Sequence, residues 1–404
     1  MSPVSPLSSH ALDDPRLARR VGLFPESVIR EMTRLALAHG AVNLGQGFPD
    51  FEPPAPMVEA AKRALDGGHN QYAVTWGAPA LRAAIAAKAK RFNGIDCDAD
   101  RHVTVTCGAT EAMMAAMLAL VDEGDEVVAF EPFYENYGPD ALLSGAKLKL
   151  VPLDPARAFA FDEERLKAAF SRRTKAIILN TPNNPAGKVF TRDEMKAIAD
   201  LCRDHDAFAV TDEIYEHILY GGRKHVSIAT LPGMFDRTIT VSGASKTYSA
   251  TGWRVAWAIA PPAASVALRR VHDFLTVGAP HPLQMGVAAA LALPDSYYAE
   301  LNALYDRQRR ALVAMLRDAG FEPVDPEGAY YVMADFRHVA APAAAKTDDR
   351  RFAEWLVRDV GLAGVPGSSF FGDPALGRSL IRFNFAKTDA TLAAARAKLA
   401  RLGS

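Results

Sequence analysis

The stretch SGASKTYSATGWRVAW, residues 242–257, decides the fold of this 404-residue chain. It follows an apolar run at 238–241 and places Lys246 among small and hydroxyl side chains, with Arg254 a short loop later. A lysine in a pocket can have a lowered pKa and react with carbonyl compounds, and an arginine can hold a phosphate through two hydrogen bonds. Each residue alone is more often an ordinary surface cation, so the other strand ends must be considered with them.

Seven short apolar segments are predicted to be strands, and most of them alternate with helical patterns. Several are continuous apolar runs, which are typical of strands buried on both faces of a parallel sheet. The alternation predicts an α/β fold with a large domain, in which a mostly parallel seven-stranded sheet lies between helices. After residue 296 a long helical pattern and two further strands predict a second, smaller α+β domain. The seven strands are predicted at 102–106, 126–130, 146–153, 176–180, 208–213, 238–242 and 255–260.

Polar and aromatic side chains follow five of these strands, at the sheet edge where ligands bind in open α/β folds. Small residues at the start of helix 111–121 let backbone amides approach a phosphate. A planar side chain can stack on a flat ring, and a carboxylate at the end of a buried strand needs a partner. In chain order these side chains are Gly108, Ala109 and Thr110, then Tyr134, Asn183 and Asn184, Asp212 and Tyr215, and finally Lys246 and Arg254.

Each of these groups also has an ordinary explanation as a helix cap, a core aromatic, a turn or a surface charge. One small molecule, however, requires the whole set. The aldehyde of pyridoxal 5′-phosphate (PLP) needs a lysine, its ring nitrogen needs an acid, and its phosphate needs helix amides and an arginine. The sequence therefore predicts a PLP site at this sheet edge.

Composition excludes several other classes of protein. The net charge of −1 and the absence of a basic run argue against a nucleic-acid or membrane partner. Three cysteines do not make a disulfide framework, and the first twenty residues lack the apolar core of a signal peptide, so we expect a cytoplasmic protein. No histidine or cysteine spacing predicts a metal site, and the first strand–helix turn lacks the glycine fingerprint of dinucleotide-binding dehydrogenases.

Eight motifs carry a family resemblance that covers nearly the whole chain. NLGQGFPDF, NQY, VDEGDEV, EPFY, NTPNNPAGK, TDEIY, SKTYSATGWR and IRFNF occur in this order between residues 43 and 385. Together they resemble the class I PLP-dependent aminotransferases of the aspartate aminotransferase superfamily, and most of all the kynurenine, glutamine and methionine aminotransferase branch. The resemblance implies a type I PLP-transferase fold and a homodimer with shared active sites. It divides the chain into an N-terminal arm joined to the small domain (1–50), a large PLP-binding domain (51–295) and a small C-terminal domain (296–404).

The resemblance also implies roles for individual residues. Lys246 would bind the cofactor aldehyde and then carry the substrate α-proton, Asp212 would pair with the ring nitrogen, and Tyr134 would stack on the ring. Tyr215 and Asn184 would form hydrogen bonds with the phenolic oxygen of the ring. The phosphate would be held by Gly108, Ala109, Thr110, Ser245, Arg254 and, from the neighbouring subunit, Tyr72; the substrate carboxylate would be bound by Gly47, Asn184 and Arg382.

One position departs from the family pattern. Many relatives have a serine three residues before the lysine, where this chain has Gly243. The hydroxyl for the phosphate could come from Ser242 or Ser245, and the sequence leaves this open.

The implied reaction is a ping-pong transamination between an amino acid and a 2-oxo acid. The candidate side-chain pocket is mostly apolar and aromatic, which favours aromatic amino acids, methionine, glutamine or kynurenine over aspartate. An aspartate-type or other dicarboxylate aminotransferase and a cysteine-conjugate β-lyase remain alternatives, whereas a non-catalytic PLP-binding regulator is disfavoured because every catalytic position is filled. The pocket candidates are Phe24, Ile29, Phe48, Tyr72, Pro280, His281, Tyr330, Phe370 and Phe371.

Overall fold

The computed structural model describes residue 14, residues 16–24 and residues 26–402. The strands are β1 (Val42–Asn43), β2 (Val103–Thr106), β3 (Glu126–Glu131), β4 (Lys147–Asp154), β5 (Ala160–Phe161), β6 (Thr174–Asn180), β7 (Phe208–Asp212), β8 (Thr238–Gly243), β9 (Ala256–Ile259), β10 (Glu322–Pro323), β11 (Tyr331–Asp335), β12 (Leu362–Ala363), β13 (Val365–Pro366) and β14 (Leu380–Asn384).

The α-helices in the same part of the chain are α1 (Val28–Ala38), α2 (Ala55–Asp66), α3 (Pro79–Lys88), α4 (Ala109–Leu120), α5 (Tyr137–Leu143), α6 (Glu163–Ala169), α7 (Arg192–Asp204), α8 (Ala244–Thr247), α9 (Pro262–Leu275), α10 (His281–Leu291), α11 (Asp295–Asp318), α12 (Asp349–Trp355) and α13 (Asp389–Leu399). Two of them continue as single π-helical segments, α3 through Ala89–Asn93 and α12 through Leu356–Val360. Among the helices described, none has the length and apolarity needed to cross a membrane.

The large sheet has eight strands in the order β2-β9-β8-β7-β6-β3-β4-β5. The strands from β8 to β4 in this order are parallel, while β9 is antiparallel to both of its neighbours. The mostly parallel sheet is therefore confirmed, with one strand more than predicted. The additional strand, β5, is a two-residue edge that pairs antiparallel with the end of β4, and it is too short to leave a sequence pattern.

Both faces of this sheet are covered, which explains the continuous apolar runs. Every residue of β2, β3, β8 and β9 is buried. On one face β3 and β8 share an apolar cluster with α4, α5 and α9, and on the other face strand residues share a cluster with α6 and α7. Each fully buried Val, Ile or Leu contributes about 1.5–3 kcal/mol relative to exposure, so the sheet forms the main core of the molecule.

A second, four-stranded antiparallel sheet has the order β10-β11-β14-β13 and agrees with the predicted α+β region. β1 pairs in parallel with β12, aligning Val42 with Leu362 and Asn43 with Ala363. A strand in the segment before residue 50 thus pairs with one in the C-terminal part of the chain. The boundaries of the three predicted regions stay a prediction.

The strand register brings the predicted side chains to one edge. Asn180 aligns with Asp212, and Asp212 aligns with Val241, so β6, β7 and β8 end side by side. α4 starts directly after β2, and α8, which carries Lys246, starts directly after β8. The carboxyl ends of the strands therefore define where a ligand can bind.

Candidate active site

A cavity of about 290 Å³ opens at this edge, and most of the predicted site residues line it. The wall includes Gly47 from the N-terminal segment and Arg382 from β14, so distant parts of the chain meet there. Gly108 lies just behind the wall, against Arg254. Tyr72 does not line the cavity and is 83% exposed, so its role at a neighbouring subunit stays a prediction. The predicted residues on the wall are Gly47, Ala109, Thr110, Tyr134, Asn184, Asp212, Tyr215, Ser245, Lys246, Arg254 and Arg382.

Lys246 projects from α8 into the cavity, and its Nζ donates a hydrogen bond to the carbonyl oxygen of Gly47 at 2.9 Å. The ring centroids of Tyr215 and Tyr330 lie 5.8 Å from the same nitrogen. Burial lowers the pKa of Lys246, and the positive charges of Arg382 and Arg254 also act to lower it. In a larger fraction of the protein molecules Lys246 is then a neutral amine, which is the form that attacks a carbonyl carbon and accepts protons.

Asp212 is buried at the end of β7 and accepts two hydrogen bonds. The hydroxyl of Tyr137 donates to its Oδ2 at 2.7 Å, and the backbone amide of Ile214 donates to its Oδ1 at 3.2 Å. Burial raises the pKa of Asp212, while the Tyr137 hydrogen bond and the charge of Lys246 act in the opposite direction. A buried carboxylate with donors on both oxygens is a fitting partner for a protonated ring nitrogen.

The start of α4 forms an anion-binding corner. Its N-cap residue is Gly108, at a φ of +85°, which has no side chain to cap the amides of the first turn. The guanidinium of Arg254 lies against Gly108, and its Nη1 donates to the carbonyl oxygen of Thr251 at 3.1 Å. Free amides at a helix N-terminus beside an arginine suit a phosphate.

The two serines near Lys246 face different surroundings. Ser245 lines the cavity, whereas the Oγ of Ser242 donates to Oε1 of Glu216 at 2.6 Å behind β8. Of the two alternatives for the phosphate hydroxyl, only Ser245 borders the site.

Arg382 is fully buried and held by two hydrogen bonds. Its Nη1 donates to Oδ1 of Asn184 at 2.9 Å, and its Nη2 donates to the carbonyl oxygen of Gly45 at 2.6 Å. The guanidinium carbon lies 4.4 Å from the ring centroid of Tyr331 and 4.8 Å from that of Phe370. Its Nε has no hydrogen-bond partner among residues 16–24 and 26–402. A buried cation with an unused donor on a cavity wall is suited to a carboxylate ligand.

Tyrosine side chains shape the space between these charges. The hydroxyls of Tyr215 and Tyr331 lie 3.1 Å apart, and the Tyr330 hydroxyl donates to the carbonyl oxygen of Gly47 at 3.1 Å. Tyr134 lines the cavity and packs edge to face on Tyr137, with ring centroids 6.0 Å apart. Tyr134 and Tyr215 thus border a space in which a flat ring can be held.

The side-chain pocket differs from the sequence expectation. Ile29 and Phe48 line the cavity as predicted, while Tyr330 and Phe370 lie behind Lys246 and Arg382. The other pocket candidates, which are Phe24, Tyr72, Pro280, His281 and Phe371, are not on the described wall. The wall instead contains polar residues without a sequence signal of their own, namely Ser27, Arg30, Gln46, Glu135, Asn136, Asp140 and Asn180.

Tyr137 is a further wall residue that the sequence could have indicated. It follows Tyr134 by three positions in EPFYENY, the spacing at which side chains share one face of a helix. That segment reads as a loop because Gly138 and Pro139 come next, and the short helix α5 was not predicted.

Glu213, Glu216 and His225 form a second buried cluster behind β8, with potential ligand atoms within 4.8 Å of one another. Lys88 forms an ion pair with Glu216, and Nε2 of His225 lies 2.7 Å from Oε2 of Glu213. The acidic groups of this cluster therefore already have partners within the protein.

The donor set of the cavity fits the chemical groups of PLP. The anion-binding corner at Gly108 suits the phosphate, Asp212 suits the ring nitrogen, and Lys246 suits the aldehyde. An alanine Cβ at position 108 would lie 2.1 Å from Nη2 of Arg254, so the backbone there must approach the arginine as closely as only glycine allows.

Comparisons with known proteins agree with this geometry. The family described as aminotransferase class I and II matches residues 40–399. Human kynurenine–oxoglutarate transaminase 1 is 39% identical over 396 residues, covering 91% of this chain and 94% of that protein. Methionine aminotransferase of Escherichia coli K12 is 39% identical over 376 residues, covering 93% of this chain and 96% of that protein.

A solved structure gives the same result for the fold. N-succinyldiaminopimelate aminotransferase from Mycobacterium tuberculosis superposes with a TM-score of 0.91 at 39% identity, covering 96% of this chain and all of that one. The type I fold and the aminotransferase reaction expected from the motifs are thereby confirmed. The chain belongs to the class I and II aminotransferases and is a transaminase, a membership that implies PLP as its cofactor.

Proposed function

We propose that this transaminase moves the α-amino group of amino acids with apolar, aromatic or uncharged polar side chains to a 2-oxo acid. Methionine, glutamine, kynurenine and the aromatic amino acids are the expected donors. The observation that carries the proposal is the convergence of Lys246, Asp212 and Arg382 on one cavity from three separate parts of the chain. We further propose a cytoplasmic location, which the three free cysteines support.

The proposed cofactor is PLP, which supplies an electron sink for the electron pair left on the substrate α-carbon. Asp212 would pair with the ring nitrogen of PLP, and Tyr134 would stack on the ring. Tyr215 and Asn184 would form hydrogen bonds with the phenolic oxygen attached to the ring. The phosphate would lie at the start of α4, held by the amides following Gly108, by Thr110 and Ser245, and by Arg254.

The residues of this chain divide the remaining work. Arg382, oriented by Asn184, would bind the substrate carboxylate and fix the direction of the α-carbon. Gly47, whose carbonyl oxygen accepts from Nζ of Lys246, keeps that amine over the same cavity. Lys246, with its lowered pKa, would take the α-proton and return it at C4′, the carbon of the cofactor aldehyde.

The side-chain end of the cavity supports a broad and mainly uncharged substrate range. Ile29 and Phe48 supply apolar surface, and Gln46 supplies a neutral amide. Arg30 on the same wall is the observation that favours an acidic side chain, the dicarboxylate alternative, but Glu135 opposes it with a charge of the other sign. A difference of one methylene group changes binding by only about 1–3 kcal/mol in an apolar pocket, so a broad substrate range is expected.

We also propose a homodimer, with Tyr72 completing the neighbouring site. The loop around Tyr72 packs on the end of α9, where Nε2 of His272 forms a hydrogen bond with the carbonyl oxygen of Thr75 at 2.9 Å. This region exposes a group of large apolar side chains, which usually mark an interface. They are Tyr72 at 83%, Phe274 at 93%, Leu275 at 45%, Val277 at 43% and Val74 at 42% exposure.

The half-reaction tests the proposed substrate class directly. Purified protein is mixed with one amino acid at a time, without acceptor, and the visible absorbance of bound PLP is followed. We expect methionine, glutamine, kynurenine and aromatic amino acids to bleach the band quickly, and aspartate and glutamate to act slowly. Fast reaction of aspartate or glutamate alone would refute the substrate class while leaving the chemistry intact. Pyruvate released from a cysteine conjugate without acceptor would instead indicate the β-lyase.

Lys246→Ala provides the control for the chemistry. Without the amine, the half-reaction should slow by several orders of magnitude, while thermal unfolding confirms that the variant is folded. A Lys246→Ala protein that transaminates at the wild-type rate would refute the proposed mechanism.

A further inference from the structure

Asp140 is a buried acid on the cavity wall that the reaction outlined above does not use. It lies on α5, three residues after Tyr137, whose hydroxyl bonds Asp212. Its side chain is 2% exposed, and its Oδ2 has no hydrogen-bond partner in the described part of the chain. Carboxylates are rarely buried without a partner, so this side chain requires an explanation.

The hydrogen bonds distinguish the two neighbouring acids. Asp212 receives one donor on each carboxylate oxygen, which stabilises its charged form. Oδ2 of Asp140 has no partner, and an unpaired charge costs more to bury than an unpaired neutral group, so this side chain is better accommodated as a neutral acid. Burial raises the pKa of Asp140 to about 8, and the negative charge of Asp212 contributes in the same direction. Two nearby carboxyl groups then share a single negative charge.

Asp140 also borders the proposed phosphate corner. It lines the main cavity together with Asp212, and it lines a second, more open cavity together with Thr110 and Arg254. The other titratable or charged groups on these two walls are Arg30, Cys107, Glu111, Tyr134, Glu135, Tyr137, Tyr215, Lys246, Tyr331 and Arg382. An ionised Asp140 would therefore place a negative charge near the phosphate and compete with it for Arg254.

We propose that Asp140 is a positioning residue of the cofactor site: as a neutral acid it leaves Asp212 the single negative charge at this end of the cavity, and its ionisation loosens the cofactor. This inference rests on the proposed PLP site and concerns how that site depends on pH. Asparagine has nearly the same shape and no charge, so Asp140→Asn should retain the neutral form at every pH.

The test compares PLP retention at two pH values. Equilibrium dialysis of purified holoenzyme gives the dissociation constant of PLP at pH 7 and pH 9 for the wild type, Asp140→Asn and Asp140→Leu. Asp206→Asn, at a 94% exposed side chain, controls for the loss of a charge as such. At pH 7 we expect the wild type and Asp140→Asn to agree within about twofold. At pH 9 the wild-type constant should rise about tenfold more than that of Asp140→Asn, the factor expected for a group that titrates near 8.

The outcomes separate this inference from the proposed function. Equal pH dependence in the wild type and both Asp140 variants would overturn the inference and leave the PLP site intact. A large loss of affinity at pH 7 in Asp140→Asn would also overturn it, because Asp140 would then act as an anion. A wild type that retains no PLP at pH 7 would overturn the proposed cofactor and this inference together. Asp140→Leu gives the same comparison if asparagine disturbs folding, and a rise about tenfold smaller than that of the wild type is again the supporting result.

Discussion

Gly108 lies at the N-cap of α4 with a φ of +85°, and a Cβ built there would come within 2.1 Å of Nη2 and 2.5 Å of Cζ of Arg254. Both distances are far below ordinary contact, so any side chain would displace the guanidinium. The glycine is therefore required twice, by its backbone conformation and by the close approach of the arginine. The effect of a substitution at Gly108 on the proposed phosphate site can be separated from its effect on the backbone conformation.

Gly108→Ala should weaken PLP binding at least tenfold, because the methyl group would push Arg254 away from the helix start. Gly124→Ala is the matched control, since Gly124 has a φ of +89° and a methyl group added there would meet no heavy atom within 4 Å. Both variants should lose about 1–3 kcal/mol of stability, because alanine is strained at the positive φ of either position. The dissociation constant of PLP and the free energy of unfolding are measured for each. Equal PLP affinities in the two variants would contradict this account of the corner.

Which side chains the sequence could identify depends on how they reach the cavity. Asp212 is the last residue of β7 and Lys246 lies three residues after β8, so the strand pattern alone predicts that both lie at the ligand-binding edge. Arg30 and Asp140 reach the same cavity from helices. Arginines and acids are ordinary on helix surfaces, and only the packing of the helix decides which of them faces a cavity.

At the scale of elements, the longer strands with an uninterrupted apolar pattern were predicted, whereas three helices with proline in the first turn were not. β3, β7 and β8 appear within two residues of their predicted bounds because they are buried on both faces. α5 contains Gly138 and Pro139 in its first turn, α9 begins at Pro262, and α10 carries Pro282 next to its first residue. Proline is tolerated at a helix start, yet in a single sequence it reads equally well as a loop.

Contacts between elements are harder still to foresee, and His217 illustrates this. Its ring stacks between Phe92, from the π-helical end of α3, and Tyr298 of α11, with centroid distances of 3.8 and 4.3 Å. Its Nε2 is buried without a hydrogen-bond partner in the part of the chain described. Burial, together with the charge of Lys88, lowers the pKa of His217 to about 3. No local pattern at His217 indicates that two distant segments enclose it.

This histidine should make the protein less stable in mild acid. Since the folded pKa lies below the unfolded value of about 6.5, the unfolded chain gains a proton between pH 6.5 and pH 3 that the folded chain does not. From pH 7.5 to pH 5 the wild type should lose about 2 kcal/mol more unfolding free energy than His217→Phe, which keeps the ring stack. Urea unfolding at the two pH values measures the difference. His338→Phe, at a 69% exposed histidine, should behave like the wild type, and parallel losses in wild type and His217→Phe would contradict the assignment.

At the scale of the whole molecule, the active site depends on contacts between residues far apart in the chain. Gly47 and Lys246 are 199 positions apart, and Gly45 and Arg382 are 337 apart, yet each pair is hydrogen-bonded. The pairing of β1 with β12 brings the segment 45–48 to the cavity. The motif order could indicate that these residues belong to one site, but the contacts themselves arise only when the two sheets are assembled.

The proposed homodimer extends this dependence to a second copy, and a mixed dimer tests it. If Tyr72 serves the neighbouring site, one subunit with Lys246→Ala and one with Tyr72→Ala form one site with both defects and one with none. If Tyr72 serves its own site, each site of the mixed dimer has one defect. Differently tagged subunits are co-expressed, and the doubly tagged species is purified and assayed. We expect about half the wild-type kcat, because one of the two sites contains no altered residue and the other is inactive. The intact site should bind PLP with unchanged affinity. Activity no higher than that of the Tyr72→Ala protein, or the absence of a doubly tagged species, would refute shared active sites.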